Sequence, residues 1–213
     1  MTRLRASAAS LTLLVLCAAC GGDLGGPKIP SRDGYRAVLS FSKEDRYELF
    51  VRGEKRRVEG AIDGSTLVKI ARPDIGKVWQ YRPSTKKLFE TAWGPQDEIV
   101  PGYPLDPKFD PAAYADRFGA SKSIKQIGDG AHGLHPCDRY MMTLPSGDVV
   151  TLWVARDLER LVVRVEHEKK DAKDEMQPFA NIELLDVRPG VRDDVFEKPK
   201  GYQTVSSYDA LGK

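Results

Sequence analysis

Apolar residues recur in short runs along most of this chain, and turn residues separate the runs. The clearest instance lies between 65 and 93, STLVKIARPDIGKVWQYRPSTKKLFETAW. Apolar runs at 66–71, 77–81 and 87–93 are divided by Arg72-Pro73-Asp74-Ile75-Gly76 and by Arg82-Pro83-Ser84-Thr85-Lys86. The gaps are of hairpin size and β-branched and aromatic residues fill the runs, which predicts an antiparallel meander. Trp79 and Tyr81 fall on one face with Val78 on the other. Phe89 and Trp93 share a face, opposite Leu88 and Ala92. A sheet wetted on one side would alternate cleanly, so this one is expected to be covered on both.

The same rhythm extends in both directions. Tyr35, Ala37, Leu39 and Phe41 alternate with polar residues in a first strand, and Tyr47, Leu49 and Val51 in a second. A short charged strand at 56–61 follows, closed by the turn pair Asp63-Gly64. Between 94 and 111 the pattern breaks: five prolines exclude a sheet ladder. The one predicted helix starts here, with Asp110 as N-cap, Pro111 at the first helical position and Gly119 beyond its end. Phe109 and Tyr114 have staple spacing. Strands resume at 121–127, 137–144, 149–155, 161–167 and 179–187, with Pro145-Ser146-Gly147 as the clearest turn. The run VVTLWV at 149–154 is apolar on both faces and is expected at the centre of a sheet. Residues 169–175 read as a solvated hairpin tip, 193–196 as a final turn, and 206–213 as a loose tail.

The first residues read differently. Arg3 and Arg5 precede an apolar stretch at 11–16, too short to span a membrane, and Ala18-Ala19-Cys20 follows. This resembles a bacterial lipoprotein signal, with residues 1–19 removed and Cys20 lipidated. Residues 20–34 then form a Gly/Pro-rich tether, and 35–205 a single domain. Gly21, in place of Asp, favours the outer membrane by resemblance to the lipoprotein sorting rule. The whole chain carries 33 Lys and Arg against 31 Asp and Glu. Arg3 and Arg5 leave with the signal, so the mature chain is balanced and gives no argument for nucleic acid. Cys17 leaves too, and Cys137, left alone, is expected to be buried and inert.

Candidate chemistry is sparse. Gly128-Asp129-Gly130-Ala131-His132-Gly133 fits the dinucleotide fingerprint in letters, but a strand follows it where the fingerprint needs a helix. The segment reads as a Gly-rich hairpin loop. His132, His135 and Cys137 are ligand types but lack a fourth partner for a structural zinc site. No nucleophile motif or carboxylate pair is evident, and the chain is read as a non-enzyme without metal or cofactor. Arg56 and Arg57 suit either a solvated edge strand or a groove rim that meets a phosphate or carboxyl group.

The motifs 53–59 (GEKRRVE), 70–74 (IARPD), 78–83 (VWQYRP), 87–90 (KLFE), 152–154 (LWV) and 196–202 (FEKPKGY) occur in an order that resembles the LolA-like superfamily of outer-membrane lipoprotein-sorting proteins, in particular a lipoprotein branch. The similarity spans about 35–205. It implies a mainly β fold: an antiparallel half-open β-barrel around an apolar cavity, with one or two short helices as lid or plug. It also implies binding of an acyl chain, lipid or lipoprotein without catalysis, at the outer membrane facing the periplasm. The alternative is an envelope interaction module that takes an apolar peptide. Carriers of this superfamily begin with a long helix before the first strand, where this chain has only the Gly/Pro-rich 21–34, so a lid must come mainly from 94–118, or the groove stays open. The expected groove lining is Trp79, Tyr81, Phe89, Trp93, Phe109, Tyr114, Phe118 and Trp153, with Arg56 or Arg57 at the rim. Cys20→Ala is expected to abolish acylation; radiolabelled palmitate entering the variant would refute the anchor.

Overall fold

The computed structural model describes residues 33–212; Cys20, the signal and nearly all of the tether lie outside the described residues. Eleven antiparallel strands run β1 (Tyr35–Ser40), β2 (Arg46–Arg52), β3 (Lys55–Ile62), β4 (Ser65–Arg72), β5 (Lys77–Arg82), β6 (Lys87–Ala92), β7 (Lys125–His132), β8 (His135–Thr143), β9 (Val149–Ala155), β10 (Leu161–Lys170) and β11 (Met176–Pro189). A short β12 (Gln203–Val205) adds in parallel to β6. All twelve form one sheet, ordered β12-β6-β5-β4-β3-β2-β1-β11-β10-β9-β8-β7. The β1–β11 pair joins the N-terminal meander to the C-terminal one. This is the mainly β, half-open antiparallel architecture expected from the sequence, with one short helix, α1 (Pro111–Asp116).

Cross-strand register fixes which side chains share a face. One row runs Tyr35, Val51, Arg56, Ala71, Val78 across β1 to β5, and continues on the other half as Tyr140, Leu152, Val165, Ile182. This is the inner face, and it carries the larger core. The alternate row runs Arg36, Phe50, Arg57, Ile70, Trp79, Glu90, with Arg139, Trp153, Arg164, Glu183 on the far half. This is the outer face. Over the meander it carries a second core of Val68, Ile70, Trp79, Tyr81 and Leu88 under Val191 and Phe196.

Each face has its own cover. The inner one is the Pro-rich segment with α1. Asp110 Oδ1 accepts from the amides of Ala112 and Ala113, as its capping position requires, and Phe109 meets Tyr114 edge-on at 5.3 Å. The outer cover is the chain from 190 onward, which crosses back over β2 to β6. Basic side chains hold its backbone: Arg52 donates to the Val191 carbonyl, Arg57 to that of Val195, and Arg72 to that of Phe196. Lys55 pairs with Asp193 at 2.6 Å and Lys198 with Glu90 at 2.7 Å. Hydrogen bonds from Lys198 and Lys77, and then from Trp79 Nε1, hold the pKa of Glu90 down to about 2.

Three segments differ from the sequence reading, the first being 121–124, which precedes β7 in a turn and is not strand. Gly128 to His132 belong to β7 itself, and the loop is only the turn at Gly133-Leu134. Gly130 is needed for packing: a Cβ there would lie 2.5 Å from Cζ3 of Trp153, which crosses β7. The tail does not hang loose. Residues Tyr208–Leu211 form a 3-10 helix, Leu211 is buried, and its carbonyl accepts from the Thr85 hydroxyl. The final turn is the 3-10 helix Asp193–Phe196, which drives the fully buried Phe196 into the outer core. Phe196→Ala is expected to cost about 3–5 kcal/mol and to lower the thermal midpoint by roughly 10 °C in calorimetry.

Candidate functional site

The inner cover leaves several spaces against the concave face, two of them with mostly apolar walls. Between the start of the meander and the cover lies a half-open pocket of about 490 Å³. Ala71, Pro73, Trp93, Ile99, Val100, Tyr103, Pro104 and Leu105 give it apolar walls; Glu54, Arg56, Glu98, Asp106 and Arg117 surround them. On the other side of Tyr103 lies a smaller cavity of about 250 Å³, walled by Tyr114, Phe118, Met142, Leu144, Val150, Val165 and Ile182, with His167 also in its lining.

Arg56, at the larger pocket, is already partnered. Arg56 Nη2 lies 2.6 Å from Asp106 Oδ1, and its Nη1 donates to the carbonyls of Gly53 and Lys55. Arg56 therefore ties β3 to the inner cover. Arg117, on the turn after α1, is half exposed and only loosely paired, 3.7 Å from Glu98. It is the freer cation at the mouth. Deeper on the inner face, Lys69 lies 3.8 Å from Asp97, and burial pulls its pKa below the usual lysine value against the pull of that carboxylate.

The register sorts the expected groove residues into two groups. Phe89 and Trp93 lie on the inner face of the meander, and Trp93 lines the larger pocket. Phe109, Tyr114 and Phe118 lie on the same side and stack in series, the last pair 5.1 Å apart. Trp79 and Tyr81 are on the outer face, where Tyr81 packs edge-on against Tyr202 at 4.9 Å. Trp153 is also outside, held between the guanidiniums of Arg139 and Arg164 at 4.6 and 5.4 Å from its ring centre, with Nε1 donating to Glu166. Arg56 sits at the rim. Arg57 faces the other way, over the Phe50 ring and bonded to Glu59 and the outer cover. Ile99, Leu105 and Arg117 line the pocket without having been anticipated. The sequence signal for them is that they lie within or just after the Pro-rich break.

The histidines and the cysteine follow separate local partners. His135 Nδ1 is 2.9 Å from Asp157, and Cys137 donates its S–H to the His135 carbonyl. Cys137 is buried, and desolvation pushes its pKa up to about 11, so little thiolate forms at neutral pH.

The inner cover is built into the core. Val100, Tyr103, Leu105, Phe109, Tyr114 and Ala115 are all buried. Three tyrosine hydroxyls fix its path: Tyr35 donates to the Leu105 carbonyl, Tyr103 to that of Val162 and Tyr114 to that of Gly102. Burial raises the pKa of all three, that of Tyr114 to about 12, so they stay protonated donors throughout the neutral range. Truncating Tyr114 and Phe118 together to Ala is expected to destabilise the domain by several kcal/mol. A thermal melt unchanged from the parent would identify the segment as a loosely held lid.

No protein-family model and no curated protein sequence matches the chain. Solved structures do. An uncharacterized conserved protein from Thermus thermophilus superposes with TM-score 0.51 at 12% identity, over 82% of this chain and 90% of that one. MucB superposes with TM-score 0.52 at 14% identity, over 82% of this chain but only 60% of MucB, so this chain spans less than two thirds of that protein's length. A putative outer membrane lipoprotein-sorting protein domain from Vibrio parahaemolyticus overlaps more loosely, with TM-score 0.23 at 10% identity, over 77% of this chain and 87% of that one. At these identities the likeness is one of fold alone, that of a large open antiparallel sheet.

Proposed function

We propose that this chain is an envelope lipoprotein that binds one acyl chain, without chemistry, in the larger pocket. The observation that carries the reading is the pocket itself. Its volume of about 490 Å³ falls within the range of small-molecule sites, and its walls are apolar with charge gathered around them. Burial drives binding, at about 0.8 kcal/mol per CH₂ removed from water. Arg117 is the group placed to meet a carboxylate or phosphate head, because Arg56 is committed to Asp106. Trp93 and Leu105 supply the wall against which the chain lies. Lipidation of Cys20 and delivery to the outer membrane, facing the periplasm, belong to the same reading.

Two measurements test it. Solvent extraction and mass spectrometry of non-lipidated protein purified from its host are expected to return bound lipid in stoichiometric amount. A co-purifying apolar peptide in its place would favour an interaction module. Ala71→Phe, which fills the pocket from β4, is expected to abolish uptake of a fluorescent fatty acid while the protein remains folded by circular dichroism. Equal uptake by the folded variant and the parent would exclude the larger pocket as the site.

A further inference from the structure

The strand register places several separate features on one end of the barrel. Tyr35 opposes Val51 on β2 and Pro189 on β11, so the chain enters at the end that holds the β2–β3 turn and the start of β10. Arg56 opposes Ala71, which puts the β4–β5 turn with its Ile75 at the same end. Trp93 joins it there, donating its amide to the Gly76 carbonyl. Cys137 opposes Ala155 and His132 opposes His135, so the β7–β8 turn also projects from this end, beyond the last pair of β9. The two halves of this rim are bridged by the inner cover: Asp106 reaches Arg56, while the amides of Lys108 and Phe109 donate to the carbonyls of Glu159 and Arg160. The larger pocket, with Glu54, Arg56, Pro73 and Trp93 among its lining, lies at this end too.

Two apolar side chains stand at turns on this rim. Leu134 is 96% exposed and Ile75 is 51% exposed. Isolated exposed apolar residues are ordinary, and the opposite end has some. Its most exposed, Phe179 at 59%, lies under the Lys169 ammonium, 3.4 Å from the ring centre, and edge-on to His167. Phe41 likewise packs on Tyr47. Leu134, by contrast, sits at the tip of a projecting hairpin.

We propose that this rim is a lipid-docking surface: Leu134 and Ile75 enter the bilayer that holds Cys20, Trp93 lies at its interface, and the pocket mouth faces the lipid. The proposal rests on the reading of Cys20 as the anchor. Thirteen residue steps separate Cys20 from Asp33 and span at most about 45 Å. The anchor thus keeps the domain close to the bilayer, and the chain enters at the rim that bears the apolar tips. A half-buried tryptophan with an apolar body and an N–H suits the headgroup region. An acyl chain leaving the bilayer would then enter the pocket without crossing open water.

The test uses the full lipidated chain on phosphatidylethanolamine–phosphatidylglycerol vesicles, with nitroxide labels at Leu134→Cys or, on the opposite hairpin tip, Lys173→Cys. Cys137 is buried and stays unlabelled. The label at 134 is expected to be several-fold more accessible to oxygen than to a water-soluble nickel chelate, and the label at 173 the reverse. A third label at Glu54→Cys is expected to lose its protection from the chelate when Leu134→Asp and Ile75→Asp are introduced together. Equal exposure of 134 and 173 to the chelate, protection at Glu54→Cys that survives the aspartates, or failure of the chain to float with vesicles would overturn the proposal. Lipid extraction reads the pocket and labelling reads the rim, so either result can fail while the other stands.

Discussion

Two adjacent arginines on β3 hold opposite covers onto one sheet. Arg56 points inward and bridges to Asp106; Arg57 points outward and donates to the Val195 carbonyl. An open sheet with apolar side chains on both faces cannot leave either meander face in water. It buries one under the Pro-rich segment and the other under the returning C-terminus. The alternation of a strand, with its period of two, delivers one charged clamp to each cover from consecutive positions. An exposed ion pair is worth little, but Arg57, together with Arg52 and Arg72, donates to backbone carbonyls of the outer cover, which lacks a full ladder of its own. They supply hydrogen bonds that such segments need once buried.

This division of labour shapes the site. The C-terminal cover uses Trp79, Tyr81 and Phe196 to weld the meander from outside, which frees the inside of the meander from having to form a closed core. The inner cover packs tightly against β8 to β11 through Tyr103, Phe109 and Tyr114 but leaves space where it passes Ala71 and Trp93. The pocket exists because the inner wall there is small at Ala71, while the cover runs irregularly through its prolines. The cover's side chains are buried, and the space beside them is present with the cover in place.

Much of the fold is legible in the residues. Turn pairs such as Asp63-Gly64 and Pro145-Ser146-Gly147 punctuate real strand ends, and Asp110 caps the helix it was expected to cap. The paired apolar faces of 65–93 do mark a doubly covered sheet. The site is less legible, and the physical reason is that parity along a strand says which residues share a face but not which face is concave. Trp79 and Trp93 looked equivalent in sequence and lie on opposite sides. Gly130 reads as part of a loop because its partner, the Trp153 ring that lies where a Cβ would be, comes from a strand more than twenty residues away.

By itself the sequence determined the local periods, the turns, the helix cap, the break at 94–111 and the balanced charge. These depend on neighbours a few residues apart, where steric and hydrogen-bonding preferences are set within the chain. Only the tertiary structure decided which aromatics meet, which of two arginines reaches the rim, how the last residues are bound, and where the pocket opens. Those outcomes turn on the curl of the sheet and on contacts between segments distant in sequence: Arg57 with Val195, Tyr35 with Leu105, Thr85 with Leu211. No local propensity encodes such pairs, because each is selected by the packing of the whole core.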